Sequence, residues 1–395
     1  MAHAYNHDFP QVLSAADVAL IRQNRKAALE RRSRRAEELL KLPDAPLELV
    51  LPAQLPTPTD FGSAFTIPIV DATLLRYHNP HDRDQRIIFQ PEGHVYFVDD
   101  VPTIGSVTGL VHRFAPHFHA EEVIMKMKQG TKWPRAEYLI PVMPSAVRQL
   151  LGALPTAARL LREWDAEARN ECAIIEAVKS LLAEHPALRQ DLLLLALTDE
   201  QIQAKWEANR VRSANLGTWM HLQFELWLNR CPVNEDTPEM NLFFKFITSL
   251  RGLRVFRTEW TIFGEEEKLA GSIDCLFIDK AGHLVIVDWK RSKMLRDKYS
   301  NPFQKMLTPF DHLEDCAGIH YRLQLNCYRY LLRKYYDFEV SGMLVVCMHP
   351  DNGQKAFVDE VPVMISETNL LMAHQRQRAF EQQMNPSVQS GTPTE

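Results

Sequence analysis

Two aspartates and a lysine lie where one β-hairpin would bring them together. Asp274 ends the run Ala270-Gly271-Ser272-Ile273-Asp274, and Asp288-Trp289-Lys290 follows the apolar Leu284-Val285-Ile286-Val287. Residues two apart on a strand point the same way, so Asp288 and Lys290 share one face and Trp289 takes the other. Antiparallel pairing across the Lys280-Ala281-Gly282-His283 turn can set Asp274 beside Asp288. Converging carboxylates make a hard-oxygen site suited to Mg²⁺ or Mn²⁺. An adjacent lysine can orient a water nucleophile or offset charge growing on a phosphate oxygen. Taken singly, an Asp-x-Lys on a hairpin is better read as a solvated pair of ordinary charges. An unpaired carboxylate directly after four apolar residues is costly, however, and a bound cation relieves that cost.

Further residues fit the same chemistry. His221 lies on a helical stretch marked by Leu216, Met220, Phe224 and Trp227 at three- and four-residue spacing. A lone histidine there is usually a hydrogen-bonded core residue; beside two aspartates the ligand reading is preferred. Glu225, one turn on, shares its face and is either a partner of the site or a plain helix residue. Glu259 either completes the metal shell or faces solvent. Gln324 and Tyr328 are side by side at i, i+4, able to contact a phosphate or stack a nucleotide. From Lys290 to Lys305 the chain carries Arg291, Lys293, Arg296 and Lys298 with Tyr299 and Phe303 interleaved, the combination that single-strand binding uses. Ser106 and Thr108, with Thr103 before them, open a loop-to-helix element whose hydroxyls and amides can hold a phosphate.

In this order the residues resemble the PD-(D/E)xK nuclease superfamily, within it the branch containing RecB-type nuclease domains, phage lambda exonuclease and the mitochondrial genome-maintenance exonuclease. Gly217-Thr218-Trp219-Met220-His221 is similar to a helical GxxxH element, and Gln324-Leu325-Asn326-Cys327-Tyr328 to the QxxxY signature. Glu259, Asp274 and Asp288-Trp289-Lys290 fall between them in the family's order. The resemblance covers residues 85–365. It implies an α/β (α+β) fold, restriction-endonuclease-like, with a mixed central sheet flanked by helices and a large helical insertion. It implies Mg²⁺ or Mn²⁺ held by His221, Asp274 and Asp288, with Lys290, Asp274, Asp288 and Glu259 catalytic. Gln324, Tyr328, Arg291, Lys293, Ser106 and Thr108 would bind substrate. The implied activity is metal-dependent hydrolysis of DNA phosphodiesters, by an exonuclease acting on single strands or ends in repair, replication or recombination and leaving 5′-phosphates. Some relatives bind an iron–sulfur cluster through four cysteines; the six scattered cysteines here lack the closely spaced C-terminal set, so no cluster is expected.

The elements that must position these groups follow from the change of hydrophobic period. Short strands are expected at 87–89 and 94–98, helices broken by prolines over 119–212, and a helix at 213–231. Strands at 255–263, 269–279 and 284–291, a helix at 318–336, strands at 342–348 and 355–361, and a helix near 367–384 complete a catalytic core over 213–365. The division is residues 1–60 as an arm with a proline-rich linker, 61–385 as the nuclease domain, and 386–395 as a disordered tail. In the arm, Ile21 to Ala36 carries seven basic residues against Glu30 alone. Ile21, Asn24, Arg25, Ala28, Leu29 and Arg32 resemble the short helix by which fork-remodelling and excision-repair proteins bind replication protein A. A DNA-binding arm and a nuclear-import signal are the alternatives.

Composition bounds the rest. The chain has 395 residues, 46% hydrophobic and 24% charged, with a net charge of −5. That is ample core for a folded protein and excludes coating of polyanions by the whole surface. No apolar run approaches a membrane span and the N-terminus lacks a signal-peptide core. An intracellular, nuclear location with DNA as partner and no membrane is expected. Two other classes stay open: a non-catalytic nucleic-acid-binding adaptor that keeps the fold, and an RNA-directed nuclease.

Overall fold

The computed structural model describes residues 72–384 except 92 and 294–298. The arm with Ile21, Asn24, Arg25, Ala28, Leu29 and Arg32, its linker, the tail, and Arg296 and Lys298 of the basic segment lie outside the described residues.

The chain forms two units, one from 72–116 with 216–384 and one from 117–215. The first stretch contains α1 (Leu74–His78), the meander β1 (Ile87–Gln90), β2 (Val95–Val98) and β3 (Val101–Pro102), then β4 (Gly105–Ser106) and α2 (Val107–His112). The second unit is helical: α3 (Ala120–Gln129), α4 (Ser145–Gly152), α5 (Ala158–Asp165), α6 (Glu171–Glu184) and α7 (Arg189–Leu193). Its core gathers Leu151, Leu160, Trp164, Ile174 and Val178. The 30-residue α8 (Asp199–Leu228) contributes its residues up to 215 to this unit and the remainder to the first. The helix expected at 213–231 is therefore the end of a longer one. Its early part is charged (Lys205, Glu207, Arg210, Arg212), which masks the apolar period there.

The returning chain forms α9 (Pro238–Ser249), β5 (Arg254–Gly264), β6 (Leu269–Ile278), β7 (Leu284–Lys290), α10 (Ala317–Tyr335), β8 (Val340–Cys347), β9 (Phe357–Glu360) and α11 (Ile365–Met384). The sheet is mixed, as expected: β5–β6, β6–β7 and β8–β9 are antiparallel, while β4–β6 and β7–β8 are parallel. The β7–α10–β8 crossover explains why one parallel pair sits beside a hairpin. β5 pairs with β6 along its whole length, so β4 at Leu269–Ala270 and β7 at Cys275–Ile278 must share the other edge. Between them, Gly271 to Asp274 has no ladder partner on that edge among the described residues. β6 and β7 thus part where the acidic residues begin.

The main core combines sheet residues such as Trp260, Leu276 and Ile286 with Leu323, Leu331 and Leu332 of α10 and Leu371 and Met372 of α11. Trp289 points away from this cluster, meeting the rings of Phe224 (α8), Phe243 and Phe246 (α9) at 5.5, 5.8 and 5.7 Å. Burying each such ring stabilises the fold by roughly 1.5–3 kcal/mol, and together they clamp the β7 end between helices. Among the described residues no helix is long and apolar enough to cross a membrane.

Candidate metal centre

The site assembles where β6 and β7 separate. The last ladder pair is Cys275–Val287, so the Trp289 amide has no strand partner on that side; it donates instead to Asp274 Oδ2 at 2.8 Å. His221 approaches from α8. Its Nε2 lies 2.9 Å from the Trp289 carbonyl oxygen and its Nδ1 3.6 Å from Asp274 Oδ2. A carbonyl only accepts, which assigns the proton to Nε2 and leaves the Nδ1 lone pair facing the carboxylates. Burial, reinforced by the Lys290 charge, lowers the His221 pKa to about 4, so the ring is neutral and able to ligate.

Glu259 is the third member. It sits in the middle of β5 with φ +42°, a left-handed conformation that non-glycine residues rarely adopt and that is found at functional sites. Its ladder neighbours Thr258 and Trp260 keep their pairs with Cys275 and Ile273. Its carboxylate accepts from the Ser272 hydroxyl at 3.0 Å. One ligand atom each from His221, Glu259 and Asp274 lies within 4.8 Å of the others. In an octahedron with bonds of about 2.1 Å adjacent donors stand about 3 Å apart, so the three side chains would draw inward to hold Mg²⁺, with Mn²⁺ acceptable to the same donors. Burial, then the neighbouring Asp274 and Glu225, push the Glu259 pKa well up, and burial raises that of Asp274 against the pull of Lys290 and the Trp289 amide. Concentrated, desolvated carboxylates of this kind favour a cation.

The structure differs from the expected ligand set in one member. Asp288 lies outside the 4.8 Å group; its nearly buried carboxylate meets Lys290 Nζ at 2.7 Å. The two are i, i+2 on β7 and share a face, so the nearest countercharge is its own strand neighbour. Lys290 also sits 4.8 Å from the centre of the Tyr321 ring, a cation–π contact. Burial works to lower the Lys290 pKa, but Asp288 and then Asp274 outweigh it and raise it, so the ammonium stays charged. Burial raises Asp288 to about 6 against the pull of Lys290. Glu225 is also drawn into the group: burial lifts it to about 7, and its charge acts on Glu259.

Gln324 Nε2 donates to the Tyr328 hydroxyl at 3.2 Å. Tyr328 closes on β6 at Gly271, where an added Cβ would stand 2.8 Å from Tyr328 Cε1. Only a residue without a side chain allows that approach. Tyr96 of β2, buried and raised to about 12 chiefly by burial, lies in the field of Glu259 and Asp274. Tyr96, Tyr321 and Ser272 carry no spacing signal in the sequence; only the register Thr261–Ser272, which sets Ser272 across from β5 beside Glu259, could have pointed to one of them.

The other expected substrate contacts are placed differently. Arg291 is not free for a phosphate: its side chain is 11% exposed and pairs with the buried Glu239 of α9 at 2.9 Å, because β7 runs past that helix. The Ser106 hydroxyl accepts from the Gly109 amide at 3.0 Å and so caps α2, while Thr108 is exposed. Lys293 is exposed and pairs with Asp351 at 2.8 Å. Tyr299, expected to stack on bases, donates to Asp359 at 2.5 Å and packs edge-on against Phe357, whereas Phe303 is 97% exposed.

No family model matches the chain, and no curated protein matches it significantly. Among solved structures, one titled "Crystal structure of SSO0001" aligns with 51% of this chain and 84% of its own at 16% identity, with a TM-score of 0.22.

Proposed function

We propose that this protein is a divalent-metal-dependent nuclease that hydrolyses DNA phosphodiester bonds, acting as an exonuclease on single strands or ends. The observation that carries the reading is the convergence of His221, Glu259 and Asp274 donor atoms within 4.8 Å beside a charged lysine. Mg²⁺ or Mn²⁺ held by His221 Nδ1, Glu259 and Asp274 would supply Lewis-acid charge to the scissile phosphate and lower the pKa of a bound water. The protein's own groups do the rest. Lys290 keeps its proton, so it donates to a water or a phosphate oxygen and offsets developing negative charge rather than removing a proton. Asp288 holds that ammonium in place. His221 is fixed by the Trp289 carbonyl, which sets the tautomer that ligates. Gln324 and Tyr328 border the same carboxylates and suit contact with the substrate backbone. In this reading the cationic arm recruits the enzyme to single-stranded DNA coated by replication protein A, in the nucleus.

The test is cleavage of end-labelled single- and double-stranded DNA, with matched RNA as competitor, in Mg²⁺ or Mn²⁺. Shortening of DNA by wild type that Lys290→Ala and Asp274→Asn abolish supports the proposal. No cleavage by wild type, together with binding of the same DNA, turns the protein into an adaptor. Preference for RNA replaces the substrate.

A further inference from the structure

Three arginines run down one flank of α10: Arg322, Arg329 and Arg333, at spacings of seven and four residues. The flanking two are neutralised. Arg322 pairs with Asp359 of β9 at 2.8 Å, and Arg333 with Glu339, just before β8, at 2.9 Å. The middle one is not. Among the described residues Arg329 forms no hydrogen bond or ion pair, and its Nε is buried without an acceptor. Buried polar atoms nearly always find a partner, and the Arg329 Nε has none that the described residues supply.

Arg329 opens into a cavity of about 280 Å³ between α10 and α11, bordered by Tyr330, Arg333, Lys334 and Asn369. The basic groups at its wall exceed the acids available to them. Lys334 pairs with Glu266 and Glu267, Arg376 also pairs with Glu267, and the Tyr330 hydroxyl donates to Glu267, so both of these carboxylates are already engaged. Burial and the neighbouring Arg333 act against the Arg329 charge, and Glu339, which acts for it, is already paired with Arg333. A guanidinium presents a planar fork matched to two oxygens of a phosphate, and the exposed Asn369 adds amide donors at the rim. The volume lies just below the ~300–1,000 Å³ of sites for drug-sized ligands, enough for a phosphate carrying a sugar.

The geometry points to a phosphate-binding site on this flank, with Arg329 as its anchor. Arg329 lies roughly 100–140° round the helix from Tyr328 and Gln324, so the site is separate from the metal centre and does not rest on the cleavage reading. Its ligand is a phosphate ester, either a free phosphomonoester or a phosphate of a nucleic-acid backbone.

Calorimetric titration of the full chain in phosphate-free buffer with EDTA tests this, using inorganic phosphate, a deoxynucleoside 5′-monophosphate and a short single-stranded oligonucleotide. Binding is expected in wild type, at least tenfold weaker in Arg329→Gln and partly kept in Arg329→Lys. Asn369→Asp, a change at an exposed position, should weaken it as well by placing a carboxylate at the rim. Binding of the two small compounds identifies a free phosphomonoester as the ligand; binding of the oligonucleotide alone, lost with Arg329→Gln, identifies the backbone. Absence of binding in wild type for all three, or equal binding by wild type and both Arg329→Gln and Asn369→Asp, overturns the proposal.

Discussion

The Asp274 carboxylate caps the backbone amide of Trp289 at 2.8 Å, tying β6 to β7 at the point where their ladder stops. One carboxylate oxygen thus does two jobs, closing an open fork in the sheet and facing the His221 ring.

The two jobs separate by substitution. Asp274→Asn keeps an oxygen acceptor for the Trp289 amide and should fold normally, while its affinity for Mg²⁺ or Mn²⁺ falls by at least ~10–100-fold. Asp274→Ala leaves the amide unpaired and should cost a further ~1–3 kcal/mol of stability. Melting curves with and without Mn²⁺ read both effects: the metal-induced rise should vanish in each variant, and the metal-free midpoint should fall only in the alanine.

Gly271 controls how close Tyr328 comes to the strand. An alanine Cβ would stand 2.8 Å from the ring, so Tyr328 and with it Gln324 must move. Gly271→Ala should cost about 1–3 kcal/mol, the usual range for overpacking a tight core. Cleavage, if present in wild type, should drop more than metal binding does, because the displaced groups are not ligands. A denaturant titration alongside an assay at a temperature where the variant is folded checks this.

Arg291 and Lys290 are neighbours, each paired with a nearly buried carboxylate, whose expected effects on cleavage differ. Arg291→Ala leaves Glu239 buried and unpaired, which should destabilise by ~3–5 kcal/mol, and the pairing should be replaceable by an Arg291→Met, Glu239→Met double substitution. Lys290→Ala likewise strands the nearly buried Asp288 and should lower the midpoint too, but at a temperature where both variants are folded it alone should abolish cleavage. Loss of DNA affinity in a folded Arg291→Met, Glu239→Met protein would place Arg291 back among the substrate contacts.

Glu267 has a fully buried side chain that accepts from Tyr330 and Tyr335 and pairs with Lys334 and Arg376. Burial acts to raise its pKa, but the hydrogen bonds from Tyr335 and Arg376 and the Lys334 charge outweigh it and leave it lowered. A carboxylate held below its unfolded value of ~4.3 adds stability above that pH and loses it as pH falls through the folded value. The stability advantage of wild type over Glu267→Gln should therefore be constant near neutrality and shrink below about pH 4. Urea midpoints measured from pH 3 to pH 7 would show it; a difference that does not change with pH would exclude the linkage.

Much of this was legible in the residues. The alternation that puts Asp288 and Lys290 on one face and Trp289 on the other is a local property of a strand, and the structure keeps it. The i, i+4 contact of Gln324 and Tyr328 is equally local. The mixed sheet follows from a hairpin, an intervening helix and a further strand. The long-range pairings were not legible. Arg291 looks like a phosphate contact in a basic run until α9 brings Glu239 to it, and Ser106 looks like a ligand until it caps its own helix.

The sequence by itself determined which side chains alternate along each strand and which recur on each helix face, because those periods depend only on neighbouring backbone geometry. Only the tertiary structure brings a donor atom of Glu259 to within 4.8 Å of those of His221 and Asp274. That convergence depends on a left-handed residue inside β5 and on the parting of β6 from β7, neither of which is encoded within a few residues of the groups concerned, whereas the pairing of Asp288 with Lys290 is local to β7.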